Sequence, residues 1–262
     1  MPEFTSHTPG TFCWPELATT DQQGAVAFYR GLFGWDVDES PVGPGMTYSM
    51  FNIKGKGVGA AAMLQQAERD HGVPPHWNNY ISVANADETV KRAVALGGKV
   101  LAPAFDVMDA GRMAVLQDPT GASFCIWQPG KHFGAAILRE PGSLCWTELV
   151  TRDPKTAEKF YTSLFGWTAK TSADAAMEYT EFSNQGTLQA GMMKLTPEMG
   201  DMPPFWLPYF AVADCDAAAA RVTQLGGRLH KPPADIPHTG RFAIAGDPQG
   251  VGFALFTPAP RA

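Results

Sequence analysis

Residues 10–35 read GTFCWPELATTDQQGAVAFYRGLFGW, and residues 142–167 read GSLCWTELVTRDPKTAEKFYTSLFGW. Fourteen of these 26 positions are identical, at a constant offset of 132. The echo continues further along the chain. PPHWNNYISV (74–83) matches PPFWLPYFAV (203–212), and GRMAVLQDPTGASFCIW (111–127) matches GRFAIAGDPQGVGFALF (240–256), both at an offset of 129. A period near 130 residues is far longer than a solenoid repeat, so it marks two copies of one domain and implies two related sites.

Local patterns give the order of elements within each copy. Residues 12–18 and 144–150 alternate as short strands. Asp21 and Asp153 are placed to cap a helix, and Pro154 suits a first helical position, where its missing N–H costs nothing. Ala25, Tyr29, Leu32 and Phe33 follow helical spacing, as do Ala157, Tyr161, Leu164 and Phe165, and Gly34 and Gly166 end the helices. Three further strands fit the residues up to Met63 and Met193. The cycle then recurs. Strands at 80–84 and 209–213 precede a helix that stops at Gly97-Gly98 or Gly226-Gly227. In the first copy, strands follow around 99–102, 112–116 and 123–127. DPTG (118–121) and DPQG (247–250) suit type I turns between the last two strands. The reading is an α+β fold of tandem βαβββ repeats, four units in all. The modules span 1–130 and 142–262, and the linker 131–141 has an apolar centre expected to pack against a domain.

Bulk properties narrow the function. The 262 residues suit two domains of ordinary size, each able to bury a core. A net charge of −6 without a Lys/Arg cluster argues against nucleic acid, whose binding rests on phosphate neutralisation. No apolar run reaches membrane-spanning length and the start carries no secretory pattern, so a cytoplasmic protein is expected. Cys13, Cys125, Cys145 and Cys215 are dispersed and read as reduced thiols.

The element order, the FYxxLFGW helix end, the LGG helix stop and the GR…DPxG strand pair resemble the vicinal oxygen chelate superfamily. That group includes glyoxalase I, bleomycin-resistance proteins and extradiol dioxygenases. The resemblance covers residues 10–130 and 142–257, and is especially close to tandem two-module glyoxalase-like proteins. It implies two glyoxalase-like modules with cup-shaped mixed sheets and ligands inside the cups. It also implies, for members that do chemistry, a divalent metal held by His and Glu side chains. Carried over residue by residue, the first-strand slot holds Trp14 and Trp146, and the fourth-strand slot falls near Ala61 and Gly191. The slot opening the second unit falls near Asn78 and Leu207, and the last-strand slot holds Cys125 and Ala254. None is a histidine or a carboxylate, so no metal and no cofactor are expected. A displaced site would need His230, His238 and Glu148 or Glu181 to converge.

Strand alternation places Glu16 on the face of Trp14, and Glu148 on that of Trp146. A carboxylate on an apolar concave face is costly unless paired or solvated, and its pKa rises. Each is therefore a candidate general base or ligand anchor. The alternative is an ion pair with Arg112 or Arg241, or a hydrogen bond to a neighbouring strand. Trp14, Tyr48, Trp77, Asn78, Tyr80, Cys125 and Trp127 are the candidate ligand contacts of the first cup, and Trp146, Tyr179 and Trp206 those of the second. The expected function is binding of a small organic molecule in an aromatic, metal-free cup. The competing readings are a metal-dependent lyase or dioxygenase with displaced ligands, and a metal-free isomerase or lyase with Glu16 or Glu148 as base. Either a monomer, acting as a pseudo-dimer of modules, or a homodimer fits.

Overall fold

The computed structural model describes residues 3–172 and 178–260. The first module runs β1 (Phe12–Thr19), α1 (Gln22–Phe33), β2 (Asp36–Gly43), β3 (Met46–Ile53), β4 (Lys56–Met63), α2 (Gln66–Asp70), β5 (His76–Ser82), α3 (Ala86–Ala95), β6 (Lys99–Val107), β7 (Gly111–Gln117) and β8 (Ser123–Pro129). The second repeats it as β9 (Leu144–Thr151), α4 (Pro154–Phe165), β10 (Thr168–Ser172), β11 (Tyr179–Asn184), β12 (Thr187–Lys194), β13 (Phe205–Ala211), α5 (Cys215–Gln224), β14 (Arg228–Ile236), β15 (Gly240–Gly246) and β16 (Gly252–Pro258). A single 3-10 turn, Pro197–Met199, stands where the first module has α2. Among the described residues no helix is long and apolar enough to cross a membrane.

The predicted caps form. Asp21 accepts from the Gly24 amide and Asp153 from the Thr156 amide, while Gly34 and Gly166 close their helices in the left-handed region at φ 71°. Each module is one eight-stranded mixed sheet, ordered β2-β3-β4-β1-β5-β8-β7-β6 and β10-β11-β12-β9-β13-β16-β15-β14. The two βαβββ units of a module therefore join along β1–β5 or β9–β13, which run antiparallel. Arg112 pairs with Asp87 and Asp106, and Arg241 with Asp216 and Asp235. These arginines hold the start of a helix to a hairpin and do not reach either glutamate.

The helix-bearing faces of the two sheets turn toward each other, so each core is shared between modules. Phe28, Tyr29, Trp35 and Trp77 of the first module cluster with Phe210 and Phe253 of the second. In the mirror-image cluster, Tyr161 and Trp206 of the second module pack with Phe12 and Phe124 of the first. Buried hydrogen bonds fix this exchange. The Tyr29 hydroxyl donates to Asp247 at 3.2 Å and the Tyr161 hydroxyl to Asp118 at 2.9 Å. The same tyrosines accept from the indoles of Trp77 and Trp206. Trp35 and Trp167, which end the FGW motifs, donate to the carbonyls of Gly142 and Gly10 in the opposite copy. The other oxygen of each DPxG aspartate accepts backbone amides of its own turn. The linker is packed: Ala135, Ile137 and Leu138 are buried.

Replacing Tyr161 with Phe leaves a buried Asp118 oxygen and the Trp206 indole unpaired. It should lower unfolding free energy by about 1–3 kcal/mol. Because both cores span the modules, urea denaturation of parent and variant should each remain one transition. Two separated transitions would contradict the shared core.

Candidate functional site

The opposite faces of the sheets form two outward cups, each with a glutamate on its floor. In the first cup Glu16 accepts from Tyr48 at 2.7 Å through one oxygen and from Tyr80 at 3.0 Å through the other. The Trp14 indole donates to Tyr48 at 3.2 Å. Asn78 lies across the strand from Glu16, and the Cys125 thiol donates to its side-chain oxygen. Trp127 closes one side, with its ring centroid 6.2 Å from that of Tyr80. The second cup repeats the clamp. Glu148 accepts from Tyr179 at 3.0 Å and Tyr209 at 2.9 Å, and Trp146 donates to Tyr179 at 3.1 Å.

Burial pushes the Glu16 carboxyl above the usual carboxylate range, against the bonds from Tyr48, Tyr80 and Asn78 and the nearby His76. Burial does the same to Glu148, opposed by Tyr209, Tyr179 and the Lys231 ammonium. Burial and the adjacent Glu16 hold Tyr48 and Tyr80 well above the ordinary phenol value, so they stay donors. Each carboxylate oxygen has a second lone pair that can receive a ligand O–H or N–H. Chemically this is a fixed acceptor set in an aromatic bowl.

Several sequence-predicted positions need correction. Trp77 and Trp206 lie on the other face of their strands and belong to the shared cores. The reason is the two-residue period: Asn78 and Tyr80 face the cup, so Trp77, one residue before Asn78, faces the other way. A register shift between Phe12 and Trp14 also removes Phe12 from the face of Trp14. Glu16 stands directly opposite Asn78, and Glu148 opposite Leu207, whereas Trp14 and Trp146 face Tyr80 and Tyr209. The counterpart of Gly191 is Ala60, not Ala61, because these two residues pair with Glu148 and Glu16. Sequence reasoning passed over Met113, beside Tyr80, and His132, whose ring meets Trp14 edge-on at 4.7 Å. It also missed Lys231, which lies 4.9 Å over the Phe242 ring. No motif signals these three.

The donor set does not suit a divalent ion. Around Glu16 stand Ala60, Asn78 and Cys125, and around Glu148 stand Gly191, Leu207 and Ala254. Both oxygens of each glutamate already accept phenolic protons, and no histidine bonds to either. Among the described residues no three His, Cys, Asp or Glu side chains converge as a metal cradle. His230 and His238 are exposed on the second module and do not approach Glu148 as a ligand set.

Glu148 gives a sign-definite pH effect. Its folded pKa lies above the unfolded one, so between the two values the native state holds more protons. Stability therefore falls as pH rises from the ordinary glutamate range through the raised pKa. In Glu148→Gln that loss should disappear, and thermal unfolding across pH 4 to 8 (about the span of carboxylate titration) should show the variant gaining on the parent toward the alkaline end. Parallel curves would contradict the assignment.

Comparison with known proteins agrees with the fold. The model of the Glyoxalase/Bleomycin resistance protein/Dioxygenase superfamily matches residues 11–126 and 143–255. The chain is 42% identical over 266 residues, covering all of both chains, to "Putative glyoxylase CFP32" of Mycobacterium tuberculosis (strain CDC 1551 / Oshkosh). It is 36% identical to the "Anthracycline biosynthesis protein DauV" of Streptomyces sp. (strain C5), over 96% of this chain and 94% of that one. The Mn(II)-bound glyoxalase from Novosphingobium aromaticivorans shares the fold at TM-score 0.65 and 14% identity, over 95% of this chain and 82% of that one. Two matches to the family model, one per module, and relatives alike over their whole length establish that the chain belongs to the Glyoxalase/Bleomycin resistance protein/Dioxygenase superfamily.

Proposed function

We propose that this family member binds a flat organic molecule in its cups without a metal, with Glu16 and Glu148 as the anchors. The observation that carries the reading is the doubled Trp–Tyr–Glu–Tyr clamp. Each carboxylate is fixed by two phenols beneath an indole, and it presents acceptor lone pairs to the hollow. Indole and phenol rings favour planar partners. The name of the anthracycline biosynthesis relative supports a fused-ring ligand, since anthracyclines are flat polycyclic molecules.

A second reading rests on the raised proton affinity of the glutamates. A carboxylate poised this way can take a proton from a bound ligand, as in an isomerase or lyase. A cytoplasmic location is supported by the four cysteines, all free thiols. A monomer is supported by the shared cores, which give the chain its own internal pseudo-dimer.

Titration with an anthracycline should quench tryptophan emission saturably. Glu16→Gln and Glu148→Gln should each weaken the affinity of the altered cup by about tenfold, the scale of one charged hydrogen bond. No saturable response to flat aromatic compounds would overturn the binding reading. Retention of full turnover by both variants, on any substrate the protein converts, would remove the second.

A further inference from the structure

The two modules differ at one matched place. In the first, the linker lies against the end of the cup. Ala135 donates its amide to the Cys13 carbonyl at 2.7 Å, and Ala136 to the Gly57 carbonyl at 2.8 Å. His132, a few residues earlier, sets its ring edge-on to Trp14. The β1–β4 ladder begins at Glu16 and Ala60, so Cys13 lies beyond it and its carbonyl is open to this segment.

The second module has the same frame. The β9–β12 ladder begins at Glu148 and Gly191, so Cys145 occupies the place of Cys13 and Leu188 that of Gly57. β13 meets β9 in the register with which β5 meets β1, so the Cys145 carbonyl points as that of Cys13 does. Among the described residues no linker segment crosses here. A crevice of about 380 Å³ occupies the position, lined by Cys145, Trp146, Gln189, Arg139 and His7 among others. Arg139 does half of what the linker does in the first module. Its guanidinium donates to the Leu188 carbonyl at 2.6 Å, in the place of Ala136.

We propose that this crevice is a binding site for an extended, peptide-like molecule that gives an amide N–H to the Cys145 carbonyl beside the Trp146 indole. The occupant's chemistry is taken from the segment that fills the matched place, His132 to Ala136: two flat rings followed by three small residues, the last two of which give their amides to the strand carbonyls. Backbone pairing beyond the end of a ladder supplies the affinity. Gln189 stands where the first module has Val58, so the floor is polar and adds side-chain hydrogen bonds to the ligand. The site is distinct from the Glu148 acceptor, with Trp146 as the wall between them.

The probe is the peptide acetyl-His-Phe-Gly-Ala-Ala-amide, copied from residues 132–136. Added to the full-length protein, it should shift the Trp146 indole N–H and the Cys145 amide resonances saturably. The range should be millimolar, since a tethered segment enjoys an effective concentration of about that order. An analogue with an ester in place of the amide that mimics Ala135 should bind at least tenfold more weakly, about the 1.4 kcal/mol of one hydrogen bond. Gln189→Trp, which fills the crevice, should abolish binding. The ester comparison uses unaltered protein, so its outcome does not depend on how the variant folds. Equal binding of the ester, shifts confined to residues outside the crevice, or no saturable shift would each overturn the proposal.

Discussion

Everything in this molecule is arranged around two buried O–H···O contacts that cross from one copy to the other, Tyr29 to Asp247 and Tyr161 to Asp118. Each joins the helix of the repeated FYxxLFGW stretch to the DPxG turn of the opposite module. An aspartate inside an apolar core is tolerable only when its lone pairs are used. Here one oxygen serves the turn and the other takes the tyrosine. The tyrosines and aspartates shared by the copies therefore make the copies fit each other, and they leave the opposite sheet faces turned away from that joint.

That division explains how the cups carry glutamates. Packing the helices between the sheets leaves the aromatic faces turned outward. There a carboxylate keeps its place by accepting two phenols whose own protons cannot leave. The arrangement costs stability when the acid ionises, and sites commonly bear such a cost. Duplication has kept the clamp in both modules while letting its neighbours drift, Asn78 against Leu207 and Cys125 against Ala254.

Much of the fold was legible because its signals are local. Caps at Asp21 and Asp153, glycine stops, helical spacing around Tyr29 and Tyr161 and the DPxG turns each declare an element within a few residues. Glu16 and Glu148 are legible for the same reason, each a lone acid on an otherwise apolar strand. Facing was harder. β5 and β13 are buried on both sides, so alternation gives no contrast between Trp77 and Tyr80, or between Trp206 and Tyr209. The register shift at Phe12 comes from irregular pairing, which no single strand announces, and Ala60 rather than Ala61 matches Gly191 because the copies' offset falls from 132 at Glu16 to 131 there. His132 and Lys231 reach their positions through the path of the linker and the register shifts of an edge strand, which are properties of the assembled chain.

Gly191 shows how the drift has reshaped the second cup. Its first-module counterpart is alanine, yet a methyl group here would run into the Tyr179 hydroxyl and crowd the Trp146 indole. The second bowl has settled around a missing carbon, and its phenol leans into that space. Gly191→Ala alone would push that phenol away from Glu148, whereas the first module keeps Ala60 beside a Tyr48 that still bonds Glu16. One clamp is thus held by two different packings, and single residues cannot be exchanged between the halves without their neighbours.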